Sequence, residues 1–154
     1  MDIIKALEML KKVELKLQEL YAYYHKLNHS DKKAAGLFYE LSLEEKSHAD
    51  LIDYQLRTIK KNRSLFKDVE FDLESLIQFI ARMEDHIISE EPLSLDGALK
   101  FGIELEDNIL EYYYRTLITE SNPELGELIK KLGSSEKGHS DKLKYLAENR
   151  GYLA

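Results

Sequence analysis

One arrangement of metal-ligand residues occurs twice in this chain. Glu14 is followed 31 residues later by Glu45-Lys46-Ser47-His48, and Glu106 is followed 30 residues later by Glu136-Lys137-Gly138-His139. A carboxylate, a hairpin's length of chain and then Glu-x-x-His is a donor pattern that builds a pair of metal positions inside a four-helix bundle. A lone Glu-x-x-His carries little weight in a chain with 29 acidic residues. Two copies, each with an upstream Glu at matched separation, are much harder to obtain by accident. On a helix the Glu and the His, three residues apart, share a face, so one can bridge or chelate while the other binds terminally.

The match extends beyond the donors. Ala6-Leu7 pairs with Ala98-Leu99, Leu41 with Leu132 and Tyr54 with Tyr145. Tyr21 follows Glu14 by seven residues, as Tyr113 follows Glu106. The offset is 92 early in the repeat and 91 late, so one residue drops out of the turn between the paired helices. Two copies are too few for a solenoid. Duplicated helical hairpins that close on each other account for the pattern.

The elements that must position these residues follow from apolar spacing. A first helix is expected from Asp2, as N-cap, to about Asn28, with the stripe Leu7, Leu10, Glu14, Leu17, Tyr21 and Tyr24. His29-Ser30-Asp31 forms the turn, with Ser30 or Asp31 capping a second helix that runs to about Lys61. Its stripe is Phe38, Leu41, Glu45, His48, Ile52 and Ile59. A third long helix begins near Ser94, just after Pro92, and runs to about Thr119. A fourth begins at Asn122-Pro123, a cap followed by proline in the first turn, and ends near Gly151. Residues 62–93 form a crossover. Within it 62–70 reads as loop and 72–88 as a shorter helix with Leu73, Leu76, Ile77, Ile80, Ile87 and Ile88 on one side. Such a helix covers about 25 Å, enough to return the chain along the bundle. The expected architecture is all-α: a four-helix bundle of two hairpins, 2–61 and 94–151, joined by a long helical crossover within one domain spanning 1–154.

The placement of the polar residues makes the case for ligands. Glu14, Glu45, His48, Glu106, Glu136 and His139 all fall on the apolar stripe of their own helix, near its middle. Packing the stripes together brings them to one level. Four buried carboxylates without compensation cost several kcal/mol each, so they must take up protons or gain cations. Two divalent ions carry the matching charge, and neutral imidazoles complete the coordination. The bland alternative is solvation, and it suits most of the other acidic residues: Glu8, Glu19, Glu44, Glu104, Glu111 and Glu127 are off-stripe and assigned to water. His25, His29 and His86 lie near turns or helix ends and are assigned to the surface. Tyr21 and Tyr113 lie on the faces of their ligand Glu residues. A buried phenol needs a hydrogen-bond partner, and a ligand carboxylate from another helix is the natural one. The alternative is that they are ordinary core tyrosines in a chain with ten.

Composition bounds the rest. Two Pro and seven Gly in 154 residues favour long helices over many short strands. A net charge of −7 argues against a nucleic-acid partner. There is no cysteine, hence no disulfide and no thiolate metal site in this sequence. No apolar run reaches membrane-spanning length and the first residues lack a signal-peptide core, so the expected compartment is the cytoplasm.

On Glu14 with Tyr21, Glu45-x-x-His48, Glu106 with Tyr113, Glu136-x-x-His139 and the stretch Ala98-Leu99-Lys100-Phe101-Gly102-Ile103-Glu104-Leu105-Glu106, the chain resembles the rubrerythrin branch of the ferritin-like di-iron carboxylate proteins. The resemblance covers nearly the whole chain. It implies a non-haem centre of two iron ions that reacts with hydrogen peroxide or dioxygen, in a homodimer that defends cells against oxidants. Zinc or manganese are further metals such a site takes up in a purified sample. The resemblance makes Glu14 and Glu106 single-carboxylate ligands, Glu45 and Glu136 bridging ligands, and His48 and His139 ligands to one iron each. Two departures matter. Full rubrerythrins carry a rubredoxin domain with iron on four Cys, and this sequence has no Cys, so electrons are expected from a separate donor such as a rubredoxin-like protein. Peroxidase members add a carboxylate three residues from the third-helix ligand, where this chain has Ile103 and Ile109. The expected function is therefore reduction of peroxide or dioxygen in oxidative-stress defence. The alternatives are ferroxidase or iron handling, a di-iron hydroxylase that needs an apolar pocket beside the irons, and a structural bundle without metal.

Overall fold

The computed structural model describes residues 2–69, 72–116 and 122–153, and of 110–116, 123, 124 and 129 it describes the backbone. The elements among these residues are α1 (Ile3–Leu27), α2 (Lys32–Lys61), α3 (Leu73–Ile88), α4 (Leu95–Thr116) and α5 (Pro123–Asn149), with a short 3-10 turn at Arg63–Leu65 and no strand. The expected four long helices and the crossover helix are all present. The 3-10 turn lies in the stretch expected to be loop, and the expected continuation of α4 to Thr119 falls outside the described residues.

Helix starts follow from local chemistry. The side chains of Asp2, Asp31 and Asp72 accept from the backbone N–H groups of Ile4 (2.7 Å), Ala34 (3.2 Å) and Ser75 (3.0 Å), so each satisfies an N–H that its helix leaves without a carbonyl. Asn122 precedes α5 as expected, yet its side chain serves a different purpose. It accepts from the Lys67 N–H at 3.0 Å and donates to the Lys67 carbonyl at 3.2 Å, which fixes the crossover to the start of α5. Gly151, at φ 72°, ends α5 in the left-handed region that favours glycine.

The stripes on α1 and α2 are buried as expected. Leu7, Leu10, Leu17 and Tyr21 meet Phe38, Leu41, Ile52 and Ile59 in one continuous core that also takes in Met83, Leu99, Leu105, Leu132 and Leu143. The crossover helix is the exception. Of its expected apolar side only Leu76 is buried, together with Met83. Ile80 and Ile87 are half-buried, and Leu73, Ile77 and Ile88 are exposed. A sequence of closely spaced apolar residues does not show which of them the neighbouring helices reach. α3 lies over α1 and α4: Lys16 pairs with Glu84, Arg82 with Glu104 at 2.9 Å, and the His86 ring stacks on Phe101 at 3.7 Å. His86 is thus a half-buried packing residue rather than a free surface one. His25 is another, with Nδ1 2.8 Å from the Ala35 carbonyl, whereas His29 is exposed.

α4 packs closely on α5 at Gly102. A Cβ on Gly102 would lie 3.1 Å from Leu143 Cδ1 and 3.6 Å from Tyr21 Cε1. Gly102 therefore lets α4 settle against its neighbours one turn before Glu106.

The start of α2 is tied to the end of α5 by Asp31, whose carboxylate takes both terminal nitrogens of the Arg150 guanidinium, one at 2.7 Å. That guanidinium holds the Asp31 carboxyl at about 2. A depressed carboxyl stabilises the fold fully above its ordinary range and loses that contribution as pH falls through the folded value. Asp31→Ala removes both the cap and the pair. It is expected to lower the Tm by about 2–4 °C near neutral pH, and the difference from wild type should shrink as melts are repeated from pH 4 toward pH 2.

Candidate metal centre

Each of the four long helices brings one part of the cluster to mid-bundle: Glu14 from α1, Glu45 and His48 from α2, Glu106 from α4, Glu136 and His139 from α5. The four carboxylates are fully buried, and the two imidazoles nearly so. All six residues singled out by the repeat therefore meet in one place.

Their geometry is almost two-fold symmetric. His48 Nδ1 lies 2.8 Å from Glu136 Oε1, 3.3 Å from Glu45 Oε2 and 3.4 Å from Glu14 Oε2. His139 Nδ1 lies 2.8 Å from Glu45 Oε1, 3.3 Å from Glu136 Oε2 and 3.5 Å from Glu106 Oε1. Glu45 and Glu136 each turn one oxygen to one imidazole and the second oxygen to the other. Two groups of donors result, Glu14-Glu45-His48-Glu136 and Glu45-Glu106-Glu136-His139, and in each the donor atoms lie within 4.8 Å of one another. The groups share Glu45 and Glu136.

The cluster fits a pair of metal ions. Among the described residues, Glu45 Oε1, Glu106 Oε2, both Glu136 oxygens and His139 Nδ1 are buried with no hydrogen-bond partner. Buried polar atoms are ordinarily paired, and charged ones left unpaired are costly. These atoms approach one another without hydrogen-bond geometry because they point into shared space. Two divalent ions there would complete every one of them, and the hard carboxylate and imidazole donors suit iron, manganese or zinc.

Without cations the cluster must hold protons. Burial pushes the Glu45 and Glu106 carboxyls well above their ordinary value, and repulsion from Glu136 adds to it. Burial opposes protonation of His48, but the facing carboxylates of Glu136, Glu14 and Glu45 outweigh it and push the ring up to about 12. His139 is raised in the same way by Glu106, Glu136 and Glu45. Burial also works to raise Glu136, yet its contacts with Glu106 and the two rings hold it low. Glu45 and Glu136 occupy matching places, so the opposite directions describe one cluster sharing its protons, with two imidazolium ions balancing part of the carboxylate charge. Bound metal ions would replace those protons.

The outer nitrogens of the two rings have partners that the sequence reading missed. His139 Nε2 pairs with Glu44 of α2, and His48 Nε2 lies 2.8 Å from Ser135 Oγ of α5. Glu44 was assigned to water, but it is only half-exposed. Each partner immediately precedes the shared Glu of its own helix and reaches the imidazole of the other half. The repeat aligns Glu44 with Ser135, so the pair was visible as matched positions. Their differing side chains hid the shared role. A carboxylate accepts only, so with metal bound Glu44 would keep the hydrogen on Nε2 of His139 and leave the Nδ1 lone pair facing the cluster. The Ser135 hydroxyl can give or accept, and imposes less on His48. Glu8, Glu19, Glu104 and Glu127 are exposed as expected, and the Glu111 side chain lies outside the described residues.

Tyr21 donates to Glu106 Oε1 at 2.5 Å, a ligand-position carboxylate on another helix. Burial and the nearby Glu106 and Glu45 charges push the phenol well above its ordinary value, so it keeps its proton. The expected counterpart, Tyr113, has its side chain outside the described residues. On the His48 side a cavity of about 280 Å³, lined by Glu44, Ser47, Lys131 and Ser135 among others, reaches the ring.

Comparison with protein-family models matches the rubrerythrin model over residues 5–147. The chain belongs to the rubrerythrin family. That places the bundle among the ferritin-like folds, as the hairpin pair and crossover require. No curated protein and no solved structure matches the chain. Among the described residues of this rubrerythrin, no helix is long and apolar enough to cross a membrane.

The shared carboxylates generate a graded expectation. Glu45→Ala or Glu136→Ala should lose most of both metal ions, because each serves both positions. Glu14→Ala or Glu106→Ala should lose about half the metal, because each serves one. Elemental analysis of purified variants reads this directly, and full retention in Glu45→Ala and Glu136→Ala would place the metals elsewhere. Glu44→Ala should weaken metal binding by about 10–100-fold, with a smaller loss in Ser135→Ala.

Proposed function

We propose that this rubrerythrin is a di-iron oxidoreductase that reduces peroxide or dioxygen in defence against oxidants. The observation that carries this reading is the sharing of Glu45 and Glu136 between two four-donor groups. Glu14 and His48 would complete one ion's coordination, and Glu106 and His139 the other's. Two iron ions bound there supply a store of two electrons, which is what reduction of a peroxide consumes.

The chain's own residues do the remaining work. Tyr21 holds Glu106 in one orientation and keeps a proton at its Oη beside the ligand carboxylate. Glu44 fixes the tautomer and ring plane of His139. Leu17, Leu105, Leu132 and Leu143 form part of the apolar core around the cluster and exclude bulk water, which strengthens every charge interaction inside it. Small polar oxidants have a path in the cavity beside His48. Electrons would come from a separate donor such as a rubredoxin-like protein, as these 154 residues contain no Cys to hold a rubredoxin-type iron. A homodimer in the cytoplasm completes the proposal. Tyr39, Leu43 and Tyr54 recur on one exposed face of α2 and suit a second copy.

The second reading is ferroxidase or iron handling, with Fe(II) as the substrate. Ile103 and Ile109 favour it, because they flank Glu106 with apolar side chains and offer neither ion an alternative carboxylate. A symmetric set of this kind lacks a reserve ligand to exchange as the metal changes oxidation state.

Peroxide turnover with an added reductant favours the first reading, and iron retained beyond two ions per chain favours the second. Two further measurements test the chemistry of the site. In stopped-flow, the diferrous protein should be oxidised by dioxygen at least as fast as by peroxide; a peroxide rate orders of magnitude higher would restore the peroxidase reading. Tyr21→Phe should retain both metals and lower turnover about tenfold or more, as loss of a positioned proton source does. Unchanged turnover would reduce Tyr21 to a packing residue.

A further inference from the structure

A second cavity, of about 180 Å³, lies between α1, α3 and α4. Leu10, Val13, Leu76, Phe79 and Ile109 form its apolar walls. Exposed Ser75 and Asn108 supply its polar side chains, and among the described residues no ionisable group lines it. We propose that this cavity binds a small uncharged apolar molecule, of about benzene size or less, against the wall of the metal centre.

Position is the first argument. Val13 adjoins Glu14, and Leu10 lies one turn before it on α1. Ile109 lies one turn after Glu106 on α4. One turn of helix is about 5.4 Å, so the cavity shares two helices with the ligand positions and is offset from them by a single turn. A molecule inside it rests beside Glu14 and Glu106.

Size and chemistry are the second. Protein interiors pack without voids much larger than a water molecule. A cavity of about 150 Å³ lined by Leu, Ile and Phe stays dry and takes benzene or xenon. This one has that size and that kind of lining. A water molecule would find few partners there besides Ser75 and Asn108, and an anion would find no cationic side chain.

Asymmetry is the third. The offset of 92 pairs Leu10, Val13 and Ile109 with Gly102, Leu105 and Leu17 on the other side of the cluster. There a Cβ added at Gly102 would lie 3.1 Å from Leu143 of α5 and 3.6 Å from Tyr21 of α1. The crossover helix α3 has no counterpart in the repeat, and it is α3 that contributes Leu76 and Phe79. Among the described residues the void thus lies on the α3 side of an otherwise nearly symmetric centre. The polar cavity beside His48 is lined by α2 and α5, so polar and apolar molecules reach the cluster from different faces.

Binding in this cavity does not depend on the redox proposal; its nearness to a metal does. Benzene is the probe, on the full chain loaded with metal. Benzene near saturation is expected to raise the wild-type Tm by a few degrees, because a ligand that binds only the folded state stabilises it. Leu76→Phe, which fills the void, and Ile109→Glu, which places a charge in it, should each abolish the rise. No rise in wild type, or the same rise in both variants, overturns the proposal. If Leu76→Phe fails to fold, Ile109→Glu decides. The second arm is the proton relaxation of benzene. It should be several-fold faster with Mn(II)-loaded than with Zn(II)-loaded protein, and equal rates would place the benzene away from the centre. Metal analysis of the same samples keeps the two failures apart: protein that takes up no metal contradicts the di-metal reading, while the Tm arm still judges the cavity.

Discussion

Four carboxylates buried at one level of a helical bundle are the constraint on which the rest of this structure depends. Taken alone they are prohibitive, since each charge removed from water costs several kcal/mol even after relaxation. Two imidazoles in the same layer offset part of that cost by holding protons. Metal ions offset more, because they meet several oxygens at once. The continuous apolar core above and below the cluster supplies the packing that keeps the charges together.

The halves of the repeat are interlocked rather than adjacent. Each imidazole Nδ1 lies nearest to the Glu of the other half's Glu-x-x-His, at 2.8 Å in both cases. Each outer nitrogen is held by the residue that precedes the other half's shared Glu. Neither hairpin therefore builds a complete metal position by itself. Among the described residues the symmetry is then broken by Glu44 against Ser135, by the polar cavity on the His48 side and by the apolar cavity under α3. Two chemically similar positions acquire different surroundings, which is how a duplicated scaffold can distinguish one metal from its neighbour.

Most of the scaffold and the whole donor cluster were legible in the sequence, because both are written in spacing. Helical periodicity located the four long helices to within a few residues, and a duplicated motif singled out six residues from among 29 acidic residues and five histidines. What spacing could not show was reach. Glu44 is off the apolar stripe, yet its side chain extends to a ring on the facing helix. Ile77 and Ile88 read as core but are exposed, because α3 lies over α1 and α4 along a narrower strip than its composition suggests. His25 and His86, read as surface, are held by a carbonyl and an aromatic ring from distant segments. The Asn122 side chain was read as a helix cap and instead grips the crossover backbone. In each case the partner comes from a part of the chain that periodicity treats separately.

The central claim is that six residues hold two metal ions and share two carboxylates between them. Anomalous diffraction at the iron edge, from crystals of protein loaded with Fe(II) and no other metal, tests it most directly. The account predicts two peaks about 3.5–4 Å apart, one bonded to His48 Nδ1 and the other to His139 Nδ1, with an oxygen of Glu45 and of Glu136 bonded to each. A single peak, or iron bound away from these six side chains, would contradict it.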